Sequence, residues 1–143
     1  MAQIELVTEV TEELRVAMQR LVPQLTVRKP PAESELAALV NSEGSSLVVA
    51  RSDDGMIVGM ACVSVYRVPT GIRAIIEDVV VDAAARGQGI GEALTRRCLN
   101  IARAKGAPAV TLSSNPARHE ANRLYVRMGF TLRDTKPYIY RFS

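Results

Sequence analysis

No stretch constrains the fold of this chain more than Ile75 to Leu94, IIEDVVVDAAARGQGIGEAL, where a β-branched run feeds a glycine-studded turn and then an amphipathic helix. The run from Ile75 to Val81 is interrupted only by Glu77 and Asp78, the pattern of a strand covered on both faces. Arg86-Gly87-Gln88-Gly89-Ile90-Gly91 follows, with glycines at alternate positions. Lacking Cβ atoms, these residues let the backbone turn its amides inward and let a ligand come close. Ile90, Leu94, Cys98 and Ile101 then recur at helical spacing. The glycines therefore stand at a helix N-terminus, where unpaired N–H groups and the helix dipole favour an anion. A phosphate is the natural guest of such a strand, loop and helix.

Two common phosphate loops do not match. A P-loop closes with Gly-Lys-Ser/Thr, whereas Gly91 is followed by Glu92. A dinucleotide fingerprint begun at Gly87 or Gly89 needs Gly or Ala where Glu92 or Leu94 stands. The remaining pattern, Arg-x-x-Gly-x-Gly after Val79-Val80-Val81, resembles the Q/R-x-x-G-x-G/A motif of the GNAT acetyltransferase superfamily. A second motif, from Asn115 through Arg118, His119, Asn122, Leu124, Tyr125 and Met128 to Gly129-Phe130, resembles that family's last helix with its Leu-Tyr-x-x-x-Gly-Phe ending.

The order of elements extends the resemblance over essentially the whole chain. Gln3 to Thr8 alternates as a first strand, and Thr11 caps a helix running to about Leu21, ended by Pro23. A second helix is expected over Ala32 to Asn41. Ser46 to Ser52 and Met56 to Val65 read as strands joined at Asp53-Asp54-Gly55, and Pro69-Thr70-Gly71 turns the chain into the strand carrying Glu77. After the helix ending near Lys105, Ala109 to Ser113 is a short buried strand reached by a long crossover. Phe130 to Arg133 and Tyr138 to Phe142 read as two closing strands. The expected fold class is α/β (α+β): one GNAT-like domain over residues 1–143, with a mixed, mostly antiparallel sheet flanked by helices in the order β-α-α-β-β-β-α-β-α-β-β.

Composition narrows the function classes. At 143 residues and 48% hydrophobic, the chain suits one domain, long enough to bury roughly 70% of its unfolded surface. Two cysteines, Cys62 in a strand and Cys98 on a helix's apolar face, read as reduced buried thiols; with a single histidine they form no metal-ligand cluster. No apolar run approaches the ~20 residues of a membrane span, and no leader pattern opens the chain, so a cytoplasmic protein without membrane contact is expected. A net charge of +3 is too mild and dispersed to argue for nucleic acid.

The resemblance implies acetyl-CoA as acyl donor and an amine as acceptor, with homodimerisation by analogy only. Arg86, Gly87, Gln88, Gly89, Ile90 and Gly91 would hold the pyrophosphate, and the backbone of Val79, Val80 and Val81 would run beside pantetheine and thioester. Asn115 and Asn122 are the side chains placed to touch pantetheine, unless each caps a turn or helix. Arg118 departs from the pattern, standing where some relatives carry an Asn. Glu77, buried in its apolar strand, is the candidate base for an amine that is mostly protonated at pH 7; the alternative is a structural carboxylate, as Asp78 beside it illustrates. Tyr125 stands where the family often has its general acid and is expected to face the cofactor cleft, with Leu124 and Met128 turned to the core; the alternative is an aromatic packed in the core beside them, its hydroxyl tied to a carbonyl. With no histidine partner for either cysteine, transfer is expected to be direct. The reading is an acetyl-CoA-dependent N-acetyltransferase. The alternative is a CoA-binding regulatory module that keeps the loop and lacks turnover.

Overall fold

Turn chemistry and alternation build the sheet. A computed structural model describes residues 2–143. Its strands are β1 (Gln3–Leu6), β2 (Ser45–Arg51), β3 (Ile57–Val68), β4 (Gly71–Val81) and β5 (Thr111–Leu112), and its helices α1 (Glu12–Leu21), α2 (Glu33–Val40), α3 (Ile90–Ala104) and α4 (His119–Met128). The strands lie in sequence order, β1 to β4 antiparallel and β5 parallel to β4. Gly55 supplies the positive φ, 85°, of the β2–β3 turn. The β4–β5 step is parallel because α3 carries the chain back across the sheet.

The residues divide into two units, one ending at Ser113 and one from Ser114 to Ser143. In the first, the sheet is covered on both faces. Leu47, Val49, Met60 and Val80 pack with Leu14, Ala17, Met18 and Leu21 of α1 and Leu36 of α2. The other face receives α3 at Gly59, where an added Cβ would lie 3.1 Å from Leu94 Cδ1 and 3.4 Å from Ile90 Cγ2. A Cβ here would press on both side chains, so glycine lets the start of α3 settle against β3 without displacing them.

The helix ends follow their capping residues. Thr11 Oγ1 accepts from the Leu14 N–H at 3.1 Å. Ala32 offers no such oxygen, but Glu35 reaches back to accept from the Ala32 N–H at 2.8 Å. Arg51 donates to Glu5 at 3.0 Å and to Glu13 at 2.8 Å, tying β1 and α1 to the end of β2.

The second unit begins with a turn at Asn115, continues as α4, and ends that helix at Gly129, whose φ of 104° turns the chain out of the helix. The two closing strands expected from sequence are not formed. Residues 130–133 and 138–142 are irregular, and Leu132, Tyr138, Ile139, Tyr140 and Phe142 are each at least 74% exposed. The alternation of Tyr138, Tyr140 and Phe142 supplies propensity, but a strand exists only with a ladder partner, and these segments have none.

Candidate active site

A break in the β3–β4 ladder decides where Glu77 points. Met60 pairs with Val80, but Cys62 pairs with Glu77, so two steps on β3 span three on β4. The extra residue is accommodated at Asp78, whose φ of 56° is left-handed, alone among the described non-glycine residues. A regular ladder would set Asp78 opposite Cys62 and turn Glu77 to the α3 face. With the bulge, Glu77 shares the face of Leu47, Met60, Cys62 and Val80, the face that α1 and α2 cover. A left-handed conformation costs a non-glycine residue about 1–2 kcal/mol, and such strain gathers where function needs it. Glu77 is exposed, in contrast to the burial expected from its apolar neighbours, because α1 and α2 cover the sheet around Met60 and Val80 and leave Glu77 open. Asp78 is exposed as well.

Beyond Glu77, β4 runs on past the end of β5. β5 pairs with it only at Ile75 and Ile76, so among the described residues no strand follows β4 from Glu77 to Val81 on that side. Val79 and Val80 are buried and Val81 is half-buried, which makes this stretch a firm rail.

The rail leads into the loop. Gly87 and Gly89 have φ of 80° and 79°, and nothing lies within 4 Å of the Cβ either would carry. Gly89 is the N-cap of α3, and Gln88 beside it is exposed. The backbone here is thus unobstructed at the N-terminus of a 15-residue helix. Ile90 and Leu94 are buried against Gly59, and Thr95 Oγ1 donates to the Gly91 carbonyl at 2.7 Å, so the first turn is fixed. Arg86 folds back, its Nε donating to the Val81 carbonyl at 3.1 Å. An open backbone at a helix N-terminus is suited to an anion.

The segment before the glycines is also held from a distance. Asp82 Oδ2 accepts from Arg20 Nε of α1 at 3.2 Å, and Asp82 Oδ1 accepts from the Ala84 N–H at 3.2 Å. Gln24 Oε1 accepts from the Ala83 N–H at 2.9 Å. The Ala84 N–H first, and then Gln24 and Arg20, hold the Asp82 carboxyl below the usual carboxylate range.

In the second unit, Asn115 and Asn122 serve the local backbone. Asn115 Oδ1 accepts from the Ala117 N–H at 2.8 Å, and Asn122 Nδ2 donates to the carbonyls of Asn115 at 3.1 Å and Pro116 at 3.4 Å. Tyr125 is the buried residue of α4, 7% exposed, while Leu124 and Met128 are only partly buried, the reverse of the division of labour expected from sequence. The Gly129 turn explains this. It brings the Phe130 N–H to the Tyr125 carbonyl at 2.9 Å and sets the two rings edge to face, centroids 5.6 Å apart. The spacing Tyr-x-x-x-Gly-Phe is thus a helix stop with an aromatic lock.

Residues 8–130 match the acetyltransferase (GNAT) family. The chain belongs to that family. It is 32% identical to glucosamine 6-phosphate N-acetyltransferase 1 of Oryza sativa subsp. japonica over 82% of this chain and 72% of that protein. It is 33% identical to glucosamine 6-phosphate N-acetyltransferase of Trypanosoma brucei brucei over 77% of this chain and 78% of that one. The crystal structure of a Trypanosoma brucei acetyltransferase superposes with a TM-score of 0.77, 27% identical, covering 99% of this chain and all of that one. As a GNAT enzyme the protein is an acetyl-CoA-dependent N-acetyltransferase.

Within this GNAT chain neither cysteine is set up as a nucleophile. Burial first, and then the carboxylates of Asp78 and Glu77, push the Cys62 thiol up to about 11; burial pushes Cys98 up to about 12. Among the described residues no group of three or more His, Cys, Asp or Glu gathers to hold a metal, and no helix is long and apolar enough to cross a membrane. Three contributors escaped the reading of the sequence. Gly59 was detectable, since an isolated glycine in a strand marks a close approach. Arg20 and Asp82 were not, because nothing local links residues 62 positions apart.

Proposed function

We propose that this GNAT enzyme moves the acetyl group of acetyl-CoA directly to the primary amine of a small amino-sugar-like acceptor. The observation that carries the reading is the β4 bulge, which turns Glu77 onto the α1/α2 face at the start of the rail leading to the glycine cradle. The acceptor amine approaches from that face. Its nitrogen attacks the thioester carbonyl, the N–C bond forms, the C–S bond breaks, and the departing thiolate takes up a proton. Glu77 receives the amine's proton directly or through water, and Tyr125 is the proposed donor to sulfur. The high-lying thiols of Cys62 and Cys98 support direct transfer over an acetyl-cysteine route.

Glu77's exposure favours a weakly basic acceptor. A lysine amine, pKa near 10.4, is neutral about once in a few thousand molecules at pH 7. An amine acidified by neighbouring electron-withdrawing groups, with a pKa like the 7.7–8.0 of an α-amino group, is neutral in roughly a tenth of molecules. A solvent-facing carboxylate need then only relay a proton to water. The named substrates of the rice and trypanosome relatives support the same class.

Free-thiol release with acetyl-CoA and a panel of amino sugars, their phosphates and lysine peptides tests this. Amino sugars are expected to exceed lysine peptides in kcat/KM by at least about tenfold. Preference for lysine peptides overturns the acceptor class, and CoA binding without turnover of any amine favours the regulatory-module alternative.

A further inference from the structure

The glycine cradle is not held by its own loop alone. Between the rail and the glycines, Asp82 to Arg86 carries one bond to α1 and one to the turn that follows it: the Arg20–Asp82 ion pair at 3.2 Å and the Ala83 N–H to Gln24 Oε1 at 2.9 Å. Arg20 also donates through Nη2 to the Ile57 carbonyl of β3, and the Asp82 N–H donates to the neighbouring Val58 carbonyl at 2.8 Å. One guanidinium therefore spans α1, β3 and the cradle's entry, and one carboxylate both caps the Ala83–Ala85 turn and binds that guanidinium. The pair is sheltered, its side chains 31% and 18% exposed, so solvent screens it less than a surface pair. α1 also packs over the face that Glu77 occupies.

We propose that Asp82 and Arg20 are positioning residues that set the cradle against α1, so that the acyl-donor site and the acceptor face are held as one unit. The link to acetyl-CoA rests on the function proposed above; the tether itself does not.

Asp82→Asn tests it selectively. The amide oxygen still accepts from the Ala84 N–H, while its NH2 replaces the acceptor that Arg20 requires. Arg20→Gln breaks the same bond from the other side and also takes the donor from the Ile57 carbonyl of β3. In the ligand-free protein, amide hydrogen exchange over Ala83 to Ala85, whose N–H groups bond to Gln24, Asp82 Oδ1 and the Asp82 carbonyl, is expected to rise about tenfold in each single variant, the loss of roughly one charge-assisted hydrogen bond, with β2 unchanged. The double variant should exchange no faster than Arg20→Gln alone, because once Arg20 is gone Asp82→Asn removes no further bond to α1. CoA affinity should fall by a similar factor while kcat at saturating acetyl-CoA stays within about twofold, and Arg20→Lys should recover part of the affinity. Wild-type exchange over Ala83 to Ala85 in both variants, or acceleration spread evenly over the sheet, overturns the tether. Should CoA fail to bind the wild type, the proposed function fails, and the exchange pattern still decides the tether.

Discussion

The two stretches that carry the family resemblance use their polar groups in opposite ways. In the loop from Arg86 to Gly91 the backbone is left open, with Gly87 and Gly89 in left-handed conformations and clear space before each. In the stretch from Asn115 to Phe130 the polar side chains are spent at home, Asn115 on the Ala117 N–H and Asn122 on the Asn115 and Pro116 carbonyls. A motif can thus persist because a ligand needs it or because a helix end needs it, and similarity of residues alone does not separate the two. Hydrogen-bond accounting does, since a satisfied amide has less to offer a ligand.

Four experiments break or sharpen this contrast. The largest effect concerns the residue in the second stretch with a proposed chemical role. Tyr125→Phe keeps the ring on Phe130 and is expected to lower kcat by about 10²–10⁴ with little change in thermal stability. If kcat and its pH profile are unchanged, Tyr125 is structural and another group protonates the thiolate. Next, Gly89→Asp places a side chain and a negative charge in the open cradle. Wild-type protein should gain about 2.7 kcal/mol of stability at a CoA concentration a hundredfold above Kd, and this gain should vanish in the variant by thermal denaturation. Equal CoA stabilisation of both proteins would mean the open backbone is not a binding surface.

Asn122→Ala should show the opposite pattern, losing about 1 kcal/mol of stability by removing bonds to two carbonyls while CoA affinity measured by calorimetry shifts less than threefold. A large affinity loss without a stability loss would place Asn122 on the ligand. The smallest effect is an expected zero. Intact mass spectrometry after incubation with acetyl-CoA alone should show no acetyl adduct on Cys62 or Cys98, because both thiols stay protonated far above neutral pH. A stoichiometric adduct discharged by an amine would replace direct transfer with a covalent route.

What the sequence by itself determined is what lies within a turn or so of chain. Thr11 capping α1, Asp53-Asp54-Gly55 turning β2 into β3, glycines opening α3 and Gly129 ending α4 all depend on neighbours a few residues away. Such signals survive in a one-dimensional reading because the interactions that create them are themselves local. The tertiary structure alone decided the rest. Glu77 sits on the α1/α2 face only because β3 meets β4 with one residue to spare, and a one-residue change of register moves a strand side chain to the other side of the sheet. Tyr138 to Phe142 has the alternation of a strand and forms none, since each ladder hydrogen bond of a strand needs a group on a partner that the segment itself does not contain. Arg20 and Asp82 meet across 62 residues because α1 packs on the sheet, and no local preference of either residue foretells that encounter.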